Sequence, residues 1–90
     1  MNTPVPYHTM PNNGKRGDMN LAVDIIGDLL ADAYHVSFGP GIEVVGFTSV
    51  KGDLINAIIN ISNDAAVHPR AVIVTDNYGS GVLTNGFSVT

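Results

Sequence analysis

Ninety residues with 44% apolar and only 13% charged side chains make one small domain with ample core material and a sparsely charged surface. Four basic residues against eight acidic ones leave a formal charge of −4, which excludes a basic clamp for nucleic acid. The absence of cysteine excludes a disulfide framework, a cysteine zinc site and thiol catalysis.

Residues 1–17 hold three prolines, three asparagines and the pair Asn13-Gly14. Such a stretch interrupts helices and ladders alike, so it reads as an extended N-terminal arm, with residues 18–90 forming a single domain. The first six residues show no basic region followed by an apolar stretch, and no segment reaches the ~20 apolar residues of a membrane span. The expectation is a soluble, cytoplasmic protein with no membrane partner.

Asp18 reads as a helix cap. From Leu21 onward Ala22, Ile25, Ile26, Leu29, Leu30 and Ala33 fall on one side at helical spacing, and Asp24, Asp28 and Asp32 on the other. This predicts a helix over 20–33. Alternation of Tyr34, Val36 and Phe38 with His35 and Ser37 predicts a strand, Gly39-Pro40-Gly41 a turn, and Ile42 to Phe47 a second strand in the same hairpin. Asp53 caps a second predicted helix over 53–66, whose stripe Leu54, Ile55, Ile58, Ile59, Ile61 and Ala65 is wider than one core face needs. The β-branched run Ala71 to Thr75 suits a central strand, and Asn85-Gly86 between Val82 and Val89 predicts a type I′ hairpin. The order arm-α-β-β-α-β-β gives an α+β domain, two helices packed on a mostly antiparallel sheet of four to five short strands.

Three candidate sites follow from that arrangement. The aspartates at 24, 28 and 32, one helical turn apart, would form an acidic docking face for a protein partner with a basic surface. Thr48, Ser49, Lys51 and Gly52 before a helix N-terminus, with Tyr78 from the polar loop 76–81, would hold a small anion such as a nucleotide. Ile55, Ile59 and Ala66 on the far flank of the second helix would need a cover, which makes a homo-oligomer the natural expectation.

Nothing selects a catalytic set. Ser49, Ser80, His35, His68 and Asp76 supply residue types without a spacing that joins nucleophile to base. The three histidines, His8, His35 and His68, lack zinc-ligand spacing, and no cofactor motif is present, so neither metal nor cofactor is expected. Arg16-Gly17-Asp18 matches an integrin-binding tripeptide, but capping gives Asp18 a simpler role. In size and composition the chain resembles phage-encoded accessory proteins, among them inhibitors of host defence and minor particle components. The acidic face, the uncovered helix flank and the lack of a catalytic set point to a non-catalytic, self-associating protein that acts by occupying a partner's surface. Sequestering an anionic ligand between subunits, or a small enzyme of unnamed reaction, are the alternatives.

Overall fold

A computed structural model describes residues 3–90, and among them there is no helix, hence none long and apolar enough to cross a membrane. The chain is all β. Eight strands run in order: β1 (Val5–Met10), β2 (Asn13–Gly14), β3 (Leu21–Asp28), β4 (His35–Ser37), β5 (Ile42–Lys51), β6 (Leu54–Ile61), β7 (Pro69–Asp76) and β8 (Gly79–Val89). They form two four-stranded sheets, β1-β3-β6-β5 and β2-β8-β7-β4, antiparallel except where β2 runs parallel to β8. If β1 and β2 are the halves of a split first strand, this is the strand order of the immunoglobulin sandwich, with one sheet A-B-E-D and the other C-F-G extended by the second half of A. No cysteine pair joins the sheets here. Packing does, through Val23, Ile25, Ile55 and Ile59 of one sheet against Val36, Val72, Val74 and Val89 of the other, with Phe38 and Phe87 edge-to-face at 5.3 Å.

The predicted α+β architecture is therefore corrected, because both expected helices are strands. In β6 the burial alternates strictly, with Ile55, Ala57, Ile59 and Ile61 inward and Leu54, Asn56, Ile58 and Asn60 outward. In β3, Val23, Ile25 and Gly27 face in while Ala22, Asp24, Ile26 and Asp28 face out. The helical stripe arose because Ile26 and Ile58 are apolar residues on outer faces, and they filled positions that a helix would have wanted apolar. Runs of β-branched residues that pair with one another settle the competition for the ladder.

Two predicted hairpins are also absent. β4 pairs with β7 and β5 with β6, so the connection Gly39-Pro40-Gly41 carries the chain from one sheet to the other. Both glycines there have φ in the left-handed region, 91° and 81°, which lets the chain turn the corner without a side chain in the way. Asn85-Gly86 lies within β8. Arg70 pairs with Phe87 and Val72 with Leu83, so Thr84, Asn85 and Gly86 stand opposite Ala71 alone in a large bulge, with Asn85 at φ 56°.

The proline-rich segment expected as an arm is extended, but from Val5 to Met10 it pairs with β3 as β1, and Asn13–Gly14 pairs with β8. Its first two residues lie outside the described ones. Pro4 is fully buried, lying so close to Gly81 of β8 and Val5 so close to Gly27 of β3 that a Cβ on either glycine would meet main-chain oxygen.

Candidate functional site

The topology gathers loops at two ends. At one end meet the β3–β4 connection (29–34), the β5–β6 turn (52–53) and the β7–β8 turn (77–78), together with the start of β1. Main-chain bonds tie them together. Gly27 N donates to Asp53 O (3.1 Å) and Leu30 N to Gly52 O (2.8 Å), while Tyr34 N donates to Thr75 O (2.9 Å). The β3–β4 connection is thus fastened at its start to one sheet and at its finish to the other.

Leu30 is the plug of this end, fully buried, with its carbonyl accepting from Ser49 Oγ (3.1 Å). Leu29 beside it is the opposite. It is 48% exposed and held at φ 59°, a conformation that costs a bulky L-residue roughly 1–2 kcal/mol. Tyr34 and Tyr78 are exposed as well, at 61% and 52%. The Tyr78 turn is tied in spite of its polar composition, because the buried Asp76 carboxylate accepts from Tyr78 N (2.8 Å). One apolar and two aromatic side chains therefore project from short, tied loops.

Charge at this end is mostly negative. Asp28, Asp32 and Asp53 are exposed, and Lys51 stands 3.9 Å from Asp53. Tyr7 Oη donates to Asp28 Oδ2 (2.5 Å), and that bond, followed by the carboxylate's charge and a little desolvation, raises the Tyr7 pKa above 10.0.

The residues singled out from sequence fall in several places. Of the three aspartates, Asp28 and Asp32 lie at this end, whereas Asp24 sits mid-face on β3 and accepts from Asn56 Nδ2 (2.9 Å). As strand neighbours Asp24 and Asp28 are about 13 Å apart, so the close acidic stripe dissolves with the helix. Of the anion set, Lys51, Gly52 and Tyr78 reach the loop end, Ser49 turns inward to Leu30, and Thr48 faces outward from β5. No helix N-terminus stands behind them. Among the described residues Lys51 is the one lysine or arginine beside three exposed acids at this end, so the field there does not favour an anion. Ile55 and Ile59 are fully buried in the core of their own chain, and Ala66 is exposed at the other end of the sandwich. The helix flank they were read from does not exist. Sequence reasoning passed over Leu29 and Tyr34 as a helical core position and a strand residue. Their display depends on where the strands stop.

Among the described residues no group of three histidine, aspartate or glutamate side chains is placed to hold a metal ion. The candidate catalytic types are dispersed. Ser80 Oγ lies 2.7 Å from Thr75 Oγ1, His68 Nδ1 lies 2.7 Å from Pro69 O, and Asp76 caps its turn. Comparison with family models, curated protein sequences and solved structures finds no significant match to this chain.

Proposed function

We propose that this chain is a non-catalytic binding module that occupies the surface of a partner macromolecule with its loop end. Leu29, Tyr34 and Tyr78 are the anchors, and Asp28, Asp32 and Asp53 form an acidic rim that favours a partner with a basic surface. The observation that carries the reading is Leu29, a bulky apolar side chain in a left-handed conformation that exposes it to water. Folding alone favours glycine or asparagine there, so a cost accepted at an exposed position points to use. Tyrosines on tied loops add contact area at little entropic cost, as binding loops on sandwiches do.

The test compares the immobilised full chain with the triple variant Leu29→Gly/Tyr34→Ser/Tyr78→Ser, after circular dichroism shows both folded. A macromolecule from the source cells held by the unaltered chain and released by the variant is the expected result. Equal retention by the two, or retention by neither, would overturn the proposal. Reversing Asp28 and Asp32 to lysine is expected to slow association with that same partner, more at low salt than at high.

A further inference from the structure

The sandwich has four strand edges, and they are not alike. β2 has two residues and β4 three, too short to recruit a strand. β1 contains Pro6, which has no N–H to give a further strand. β5 is different: ten residues, no proline, one flank paired with β6 and the other unpaired. Beside that open flank the two sheets part in a cleft of about 430 Å³ of mixed character, lined by His35, Val36 and Ser37 of β4 and by Ile42, Val44 and Phe47 of β5. Backbone donors and acceptors of β5 and the half-buried side chains of Val44 and Phe47 thus border solvent together.

The charges on β5 say what fits there. The strand carries two, Glu43 near its start and Lys51 at its end, both exposed. In the ladder with β6, Glu43 pairs with Asn60, Phe47 with Ala57 and Lys51 with Leu54. Measured along β6, Glu43 and Lys51 are therefore each three positions from Phe47. Two irregularities, between Val44 and Gly46 and between Ser49 and Lys51, absorb one extra residue on each side of Phe47 and so keep this symmetry. An antiparallel copy of β5 laid against it about a two-fold axis at Phe47 places Gly46 opposite Thr48, Val44 opposite Ser49, and Glu43 opposite Lys51. Each pair shares a face: Glu43, Gly46, Thr48 and Lys51 outward, Val44, Phe47 and Ser49 inward.

We propose that a second copy of this chain pairs antiparallel through β5 about a two-fold axis at Phe47, joining the two four-stranded sheets into one of eight, with Glu43 of each copy facing Lys51 of the other. The contact is isologous, so it closes at a dimer and leaves no further edge of this kind exposed. Asn60 Nδ2 already steadies Glu43 (3.3 Å), and Lys51 has one solvent-exposed acidic neighbour, Asp53, at 3.9 Å. Exposed Val45 and Val50, the extra residues of the two irregularities, gain a cover from the partner strand. The loop end stays free, so this inference stands independently of the proposed function.

Sedimentation equilibrium over a concentration series tests it, using the full chain, Glu43→Lys, Lys51→Glu and the double swap Glu43→Lys/Lys51→Glu. All three changes are at exposed positions, and circular dichroism confirms the fold of each variant. A species of twice 9.4 kDa is expected for the unaltered chain. Either single reversal sets two like-charged pairs across the axis and is expected to weaken association about tenfold. The double swap restores opposite charges and is expected to recover the original dissociation constant. Three outcomes would overturn the proposal: an unaltered chain that stays monomeric up to about 1 mM; single reversals without effect; or a double swap no better than the singles. Loss of the dimer in Leu29→Gly/Tyr34→Ser/Tyr78→Ser would also overturn it, by moving the interface to the loop end.

Discussion

The two ends of this sandwich use their polar residues in opposite ways. At the end away from Leu29, side chains and main chain are consumed in knitting the loops together. Arg70, 4% exposed, donates from its two terminal nitrogens to Pro40 O and to Ala66 O (2.9 Å), and Arg16 Nε donates to Ala65 O (2.8 Å). Gly17 N donates to Ile61 O and Ile61 N to Asp18 O, both at 2.8 Å. Two of the four basic side chains are thus spent on carbonyls. At the Leu29 end main-chain bonds join the loops, with Ser49 and Asp76 adding one side-chain bond each, and Leu29, Tyr34 and Tyr78 stand in water. Met19 and Val67 are exposed at the other end as well, so the contrast lies in how the polar and basic groups are used, and it makes different demands on substitution at each end.

The strongest attempt to break that contrast is Arg70→Ala. Arg70 sits near the start of β7, two residues before buried Val72, and bonds to main chain upstream, which is the place of the corner tyrosine in antibody domains. Among the described residues the Arg70 guanidinium has no ion pair with a carboxylate, and its Nε has no partner. Truncation leaves two carbonyls unpaired and a void, which should cost about 3 kcal/mol and lower Tm by roughly 12–24 °C. Arg70→Met, which fills the void but cannot donate, should fall between. Thermal melts followed by circular dichroism decide both. Next in size is Gly41→Ala at the same end. Its φ of 81° and a Cβ 2.9 Å from that of Ala65 should cost about 1–2 kcal/mol.

Tyr34→Ser and Tyr78→Ser at the other end should each move stability by no more than about 0.5 kcal/mol, because both rings are more than half exposed and neither hydroxyl has a partner among the described residues. Leu29→Gly should leave Tm unchanged or raise it by a few degrees, since relief of the left-handed strain is offset by the greater freedom of unfolded glycine. Losses here as large as that of Arg70→Ala would mean that the displayed residues are structural after all.

How far the sequence reveals this division depends on the element. Strands β4, β7 and the first part of β5 are legible, because alternation or a β-branched run is bounded by residues that end it, and Gly39–Gly41 is legible as a break though not as the crossing between sheets. β3 and β6 are not, since each carries isoleucine on both faces, and an apolar residue looking outward erases the two-residue period. Whether Ile26 and Ile58 belong to a helix stripe or a strand is decided by pairing across the sheet, which local pattern does not contain. β1 hides behind its prolines. Pro6 is compatible with a strand only because β1 is an edge, and edges are a property of the assembled sheet. The site followed the same logic. Tyr78 was legible as a loop aromatic, Asp28 and Asp32 for the wrong reason, and Leu29 not at all, because the residue that looks most like core is displayed by the turn it stands in.

The smallest effect expected concerns a side-chain hydrogen bond between an aromatic and a charged residue at the displayed end, Tyr7 to Asp28. Tyr7 is raised above its ordinary value of 10.0, first by that bond and then by the carboxylate's charge. A proton held more tightly in the folded state than in the unfolded one stabilises the fold below pH 10, and the contribution is lost as pH climbs through the raised folded value. Tyr7→Phe removes the hydrogen bond and the titration together, while Tyr34 and Tyr78 remain in both proteins as a common background. The Tm of the unaltered chain should therefore exceed that of Tyr7→Phe by a small, constant amount up to pH 10, and the two should converge above it. A difference that persists unchanged at pH 11 would show that the phenol contributes by packing against β3 and not through its proton, so that the Tyr7–Asp28 hydrogen bond adds nothing to the stability of the displayed end.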